Sequence, residues 1–205
     1  MPPLVSPHAD VAGADAKRTL RRRMRALRLV ADQKTGPDGA MALVGHVMGA
    51  LDSLGIRKDT IVAGYWPIVT EIDVRPLLAR LEHIGARAAL PVLTAPDAPL
   101  MFRHWTLSDD LEDGPRGTRQ PGAAVPTVIP DVVLVPLLAV DPRGCRLGQG
   151  GGHYDRTLAA LRDIRPIVAV GVGYAVQLVD RVPEEACDQR MDWILTDAGL
   201  VRAGA

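Results

Sequence analysis

The sequence predicts an α/β layered fold, a single domain with a mainly parallel central sheet flanked by helices. Three observations carry this. Short strand-like apolar runs alternate with segments of helical spacing, the pattern of parallel strands joined by crossovers. Residues 132–140 (VVLVPLLAV) are apolar throughout, as expected of a central strand buried on both faces. The chain has 205 residues, one compact domain's worth, with no internal repeat and no boundary that would leave two self-sufficient cores.

The elements follow in order. Residues 1–16, rich in Ala, Pro, Asp and Val without periodicity, read as a loose N-terminal tail, and the domain is expected over 17–205. A basic helix is predicted over 17–28, where Leu20, Met24 and Leu27 form one stripe at i, i+4, i+7. Residues 32–39 hold Gly36, Pro37 and Gly39 and read as a loop. Residues 41–54 again have helical spacing, and Gly55 is a natural stop. A strand over 61–65 ends at Pro67, and a helix over 74–83 carries Pro76 in its first turn. Strands are expected at 86–93 and 101–105. Residues 106–130, with four Pro and three Gly, form one irregular excursion with room for a short strand. After the central strand come a glycine cluster, a helix over 154–162, a second buried strand over 167–172 and a last one over 193–196. In such sheets ligands bind beyond the carboxyl ends of the strands, so the loops after Tyr65, Val140 and Val172 are the places for chemistry.

Composition removes several classes. Lys+Arg and Asp+Glu both number 24, so the chain is not basic throughout, although a local basic patch remains open. Seven aromatic residues are few for a surface of stacked bases. Two cysteines, Cys145 and Cys187, suit reduced thiols rather than a disulfide framework or a zinc site. The first ten residues lack a basic start followed by an apolar stretch, and no run is long enough to span a bilayer. The expectation is a cytoplasmic protein that binds neither membrane nor nucleic acid and acts as a monomer. The zero charge hides an asymmetry. Residues 17–28 carry seven Lys/Arg and no acid, while the other 17 basic residues face all 24 acidic ones, leaving −7. Most of that basic face is expected to be solvated.

The informative stretch is Asp141–Arg156, between the buried strand and a helix. Gly148, Gly150, Gly151 and Gly152 fall within five positions. Such a run can turn backbone N–H groups toward one point and let an anion approach, and the following helix adds its own N–H groups and positive dipole end. It is no Walker A loop, lacking Gly-Lys-Ser/Thr, and no dinucleotide fingerprint, since His153 stands where a Gly is needed. A tight strand-to-helix connection is the plain alternative. Asp155 would repel bound phosphates unless a Mg²⁺ ion sits between, or it is simply a first-turn acid favoured by the helix dipole. Arg146 and Arg156 flank the cluster and can reach phosphate oxygens.

At these residues the chain resembles the 5-formyltetrahydrofolate cyclo-ligase (methenyltetrahydrofolate synthetase) family. The family's Arg-Leu-Gly-x-Gly-x-Gly-x-Tyr-Asp appears as Arg146 to Asp155. Three further stretches agree in order: Lys17 with Arg21; Tyr65-Trp-Pro-Ile-Val-Thr-Glu-Ile-Asp73; and Gly171 to Gln177, then Val182-Pro183, Asp188, Asp192 and Thr196. The resemblance implies ATP- and Mg²⁺-dependent conversion of 5-formyltetrahydrofolate to 5,10-methenyltetrahydrofolate, ADP and phosphate, through a phosphorylated formyl (imidate) intermediate. It further implies that Lys17 and Arg21, with Arg146, Leu147, Gly148, Gln149, Gly150, Gly151, Gly152, His153 and Tyr154, hold ATP. Trp66 and Glu71 would face the pterin, and residues 149–153 the formyl end. Arg146, Gln149 and Tyr154 would serve catalysis, and Asp155 and Asp192 would bind Mg²⁺. Gln149 stands where the family often has an aromatic or basic residue, and His153 where it usually has Tyr, inside an intact glycine frame.

Two other readings stay open on the residues alone. A sugar-phosphate isomerase or acyl-CoA transferase would use the glycine loop for a phosphate, with Glu71 as base and without ATP. A nucleic-acid-binding protein would work through the basic helix. Tyr174 and Gln177 follow a buried strand and either line the site or pack. His8, His46, His83 and His104 show no ligand spacing, and nothing marks Cys145 as a nucleophile.

Overall fold

The structure is a computed structural model that describes residues 7–185 and 187–204, without the side chains of residues 7–12 and 116. The chain runs α1 (Pro7–Met48), α2 (Leu51–Leu54), β1 (Ile61–Ala63), α3 (Arg75–His83), β2 (Arg87–Val92), β3 (Met101–His104), β4 (Leu111–Asp113), β5 (Arg119–Pro121), β6 (Thr127–Val128), β7 (Val132–Pro136), β8 (Ala139–Val140), β9 (Arg146–Leu147), α4 (His153–Ile164), β10 (Val168–Gly173), β11 (Trp193–Thr196) and β12 (Gly199–Arg202).

Eight strands form the main sheet in the order β12-β11-β10-β7-β1-β2-β3-β6. The middle five, β11 to β2, are parallel, and the antiparallel strands lie at its two edges. Strand alternation divides the core into two faces. Val132 and Leu134 point with Val62, Ala88 and Leu90 toward α1 and α3, against Leu43, Val47, Leu77 and Leu81. Val133, Val135, Ala63, Ala89 and Ala169 point toward Leu158 and Leu161 of α4. Helices thus cover both faces, which is why β7 carries no polar residue.

The expected loop at 32–39 is helix. Segments 17–28 and 41–48, with the 7–16 stretch expected to be loose, form the single 42-residue α1, while residues 1–6 lie outside the described residues. Turn-prone residues lose here to packing. A Cβ at Gly39 would lie 3.3 Å from the Tyr174 ring and 3.4 Å from Ile72 Cδ1, so the glycine lets the helix approach. The Tyr174 hydroxyl donates to Asp32 at 3.0 Å and ties the helix down two turns earlier. The run 132–140 is also not one strand. It leaves the sheet after Pro136, and β8 forms a hairpin with β9 in which Val140 pairs with Arg146. That hairpin aims the glycine cluster back across the carboxyl ends of β1 and β7. The excursion at 106–130 contains the β4–β5 hairpin and the edge strand β6.

Candidate active site

A cavity of about 610 Å³ opens at the carboxyl ends of the parallel strands. Every site residue nominated from the sequence lines it except Asp192.

One wall is the glycine loop. Gly150 and Gly152 take φ of 103° and 64°, and Gly152 is the residue from which α4 starts. These positive φ values fold the loop over the helix N-terminus, a conformation costly for other residues. Three arginines hold it. Arg21 donates to the Gly148 carbonyl at 3.0 Å, Arg25 to Gln149 Oε1 at 2.9 Å, and Arg156 to the Gly151 carbonyl at 2.8 Å. Two loop carbonyls are thereby held by guanidinium groups of residues that also line the cavity.

The charged floor comes from β9 and α4. Arg146 is buried and donates to Asp155 Oδ2 at 2.9 Å, while Asp155 Oδ1 accepts the Gln189 N–H at 3.1 Å. Arg146 Nε is buried without a partner among the described residues. Its guanidinium carbon stands 5.8 Å from the Tyr154 ring centre. Burial, reinforced by Glu71, raises the Tyr154 hydroxyl's pKa well above its usual value against the opposing Arg146, so it stays a neutral donor.

α1 brings Lys17, which is 6% exposed and pairs with Asp188 at 2.8 Å and Glu185 at 3.0 Å. Burial alone lowers its pKa, but the two carboxylates' hydrogen bonds and charge outweigh that and hold it above the ordinary value. The acidic partners belong to the 184–190 segment, to which sequence reasoning assigned no role beyond Asp188's place in a motif. The signal was present as charge: a +7 segment in a neutral chain needs acidic neighbours, and the adjacent Glu184 and Glu185 are candidates.

The opposite wall follows β1. A tight turn, with Glu71 N–H donating to the Ile68 carbonyl at 3.1 Å, folds the Glu71 carboxylate back to accept the Ile68 N–H at 3.2 Å. Val69 at its tip has φ 55°, strained for a β-branched residue. The Tyr65 hydroxyl donates to the Ile72 carbonyl at 2.9 Å and fixes the turn from inside. Trp66 meets Trp105 edge-on at 6.5 Å between centroids and carries the Arg75 guanidinium 4.6 Å from its ring centre. Burial raises the Glu71 carboxyl's pKa, opposed by the Ile68 N–H and by Arg28.

Asp192 is the exception. It precedes β11, so it lies at the amino end of that strand. Its carboxylate accepts the Ala169 N–H at 2.7 Å and pairs with Arg162, in the last turn of α4, at 3.2 Å. Asp155 stands in the first turn of the same helix. The structure therefore separates Asp192 from the cavity that Asp155 lines, so the two acids expected to share a metal do not come together. Tyr174 and Gln177 also stay outside the cavity. Gln177 is buried and donates to the carbonyls of Leu137 and Leu138, so both residues pack.

The profile of the 5-formyltetrahydrofolate cyclo-ligase family matches residues 14–197. The chain belongs to this family. It is 31% identical over 182 residues to a 5-formyltetrahydrofolate cyclo-ligase of Escherichia coli K12, covering 86% of this chain and 96% of that one. A 5-formyltetrahydrofolate cyclo-ligase of Mycolicibacterium smegmatis is 38% identical over 156 residues, covering 72% and 78%. The fold is shared with the 5,10-methenyltetrahydrofolate synthetase of Aquifex aeolicus, with a TM-score of 0.75 at 25% identity over 92% of this chain and 93% of that one. The Mycoplasma pneumoniae synthetase superposes with a TM-score of 0.68 at 23% identity over 88% and 98%, a likeness of fold. No described helix is long and apolar enough to cross a membrane.

Proposed function

We infer that this chain uses ATP to convert 5-formyltetrahydrofolate to 5,10-methenyltetrahydrofolate. One observation carries the reading: a cationic glycine loop with Asp155 and a buried carboxylate beside Trp66 share a single cavity. The first suits a triphosphate, the second a flat heterocycle with an N–H edge.

An amide oxygen is a poor leaving group and a phosphate is a good one. The formyl oxygen attacks the γ-phosphorus, and the bond to the β-phosphate oxygen breaks, releasing ADP. N10 then attacks the formyl carbon of the phosphorylated imidate. The carbon–oxygen bond to phosphate breaks, the N10 proton leaves to water, and the methenyl cation remains.

Lys17, Arg21 and the glycine-loop N–H groups bind the triphosphate. Arg146 stands beside the transferring phosphoryl group and offsets its developing charge. Tyr154, held neutral, donates a hydrogen bond to the oxygen end of the formyl group, and Gln149, whose Oε1 accepts from Arg25, serves the same step from the glycine loop. Glu71 accepts N–H bonds from the pterin, and Trp66 covers one side. Of the two acids nominated for a metal, Asp155 lines the cavity, and one carboxylate together with phosphate oxygens is a donor set that Mg²⁺ accepts. When bound there, Mg²⁺ neutralises phosphate charge and polarises the γ-phosphoryl group.

The test is absorbance of the methenyl product from purified protein and 5-formyltetrahydrofolate, with and without Mg-ATP. Product formed only with Mg-ATP is expected. No product, or equal product without ATP, overturns the reading. Binding of a phosphosugar or acyl-CoA without ATP would favour the isomerase or transferase alternative.

A further inference from the structure

Arg28 is the last arginine of the basic stretch, and its side chain is only 5% exposed. α1 turns it inward with Met24, one helical turn earlier, while Arg22, Arg23 and Arg25 face solvent. Its Nε donates to Thr70 Oγ1 at 3.0 Å. Its Nη1 has no hydrogen-bond partner among the described residues and stands 3.6 Å from Glu71 Oε1. Arg28 does not line the cavity, whereas Glu71 does, with a side chain 8% exposed. A guanidinium buried with this little hydrogen bonding is costly unless a charge nearby answers it. Glu71 is the acid that does.

Besides Arg28, the group that favours the Glu71 carboxylate is the Ile68 N–H, and it is neutral. Tyr65 and Tyr154 present neutral rings from the β1 loop and from α4, and Asp73 on the same loop is paired with Arg75. The Ile68 N–H takes Oε2. Burial favours the protonated acid, which accepts pterin N–H groups poorly. Arg28 is the cation that opposes this from α1.

We propose that Arg28 is a positioning residue that keeps Glu71 ionised and turned into the cavity, so that its carboxylate can accept the N–H edge of the substrate. This deepens the reading of Glu71 above and rests on it for the substrate's identity. The role of Arg28 itself is a property of the pair and can be read without turnover.

The experiment compares wild type with Arg28→Met, Arg28→Lys, Glu71→Gln and the double variant Arg28→Met/Glu71→Gln. A ¹³C-carboxyl NMR titration follows the Glu71 resonance, assigned by its loss in Glu71→Gln. In Arg28→Met the Glu71 titration moves up by about one pH unit or more, and Arg28→Lys restores most of the shift. At pH 7 and saturating ATP, Arg28→Met raises the KM for 5-formyltetrahydrofolate about tenfold, with the KM for ATP within about twofold. Should Arg28→Met not fold, the double variant, which removes both charges together, still reads the pair. Its folate KM then equals that of Glu71→Gln, because Arg28 acts only through Glu71. An unmoved Glu71 titration, or additive effects in the double variant, overturns the proposal. If instead the titration moves but Glu71→Gln leaves the folate KM unchanged, Arg28 keeps its role and the pterin reading of Glu71 fails.

Discussion

Arg146 and Asp155 pair at 2.9 Å on the cavity floor, with the arginine side chain 5% exposed and the carboxylate 21% exposed. The contact spans nine residues, from β9 across the glycine loop to the first turn of α4, so it closes the loop at its base. The same two groups are the ones a metal-bound phosphate would separate or bridge. Asp155→Asn keeps an oxygen for the Gln189 N–H and removes the charge. Turnover is expected to fall about a hundredfold or more and not to recover with added Mg²⁺. Circular dichroism should keep the wild-type spectrum, with Tm lower by a few degrees. Full activity in this variant sinks the metal assignment.

Lys17 lies between Asp188 and Glu185, so an incoming phosphate competes with two carboxylates for one ammonium group. Asp188→Asn removes the nearer competitor and should tighten binding of a non-hydrolysable ATP analogue by about threefold to tenfold, read by calorimetry. Lys17→Met should weaken it by a similar factor or more. Weaker binding in Asp188→Asn would mean that Asp188 helps to hold the nucleotide, through a metal or directly.

The glycines divide by what a methyl group would meet. At Gly144, φ is 83° and an added Cβ would lie 2.3 Å from the Met191 carbonyl oxygen, which is backbone. Gly144→Ala should cost about 4 kcal/mol or more and lower expression of folded protein. At Gly150, φ is 103° but the nearest atom is Arg21 Cζ at 3.6 Å, an ordinary contact. Gly150→Ala should cost about 1–3 kcal/mol from its backbone alone. Its larger effect should be a raised KM for ATP. A thermal melt and an ATP titration on both variants separate the two effects.

These contrasts mark how far the sequence could be read. The parallel sheet was legible because strands buried on both faces, such as 132–136 and 168–173, show their burial as unbroken apolar runs. The glycine loop was legible because anion cradles need glycine and a following helix. Residues 32–39 misled because Gly36, Pro37 and Gly39 report local turn preference, while the deciding contact, Tyr174 on Asp32, is 142 residues away. Arg28 was hidden among solvated arginines, since charge pattern does not say which face of α1 turns inward. Asp192 followed from motif order, and only the pairing with Arg162 shows which end of the sheet it occupies.

Asp141 is wholly buried at the turn into the loop and takes backbone N–H groups from Arg143 at 3.0 Å, Cys145 at 3.2 Å and Val182 at 2.9 Å. The Arg143 guanidinium adds a bond at 2.7 Å. Burial by itself raises the carboxyl's pKa, but these donors outweigh it and hold it below the usual 3.8. The folded state therefore binds this proton less readily than the unfolded chain. The carboxylate's stabilisation is full above the unfolded value and is lost as pH falls through the folded one. Asp141→Asn leaves donors facing an amide that cannot accept them all, and should cost about 3 kcal/mol at pH 7. That corresponds to a Tm lower by roughly 6–12 °C. The gap between the wild-type and variant melts should narrow below about pH 4 as the wild-type carboxylate takes up its proton. A gap constant from pH 7 down to about pH 3 would remove Asp141 as a source of acid sensitivity.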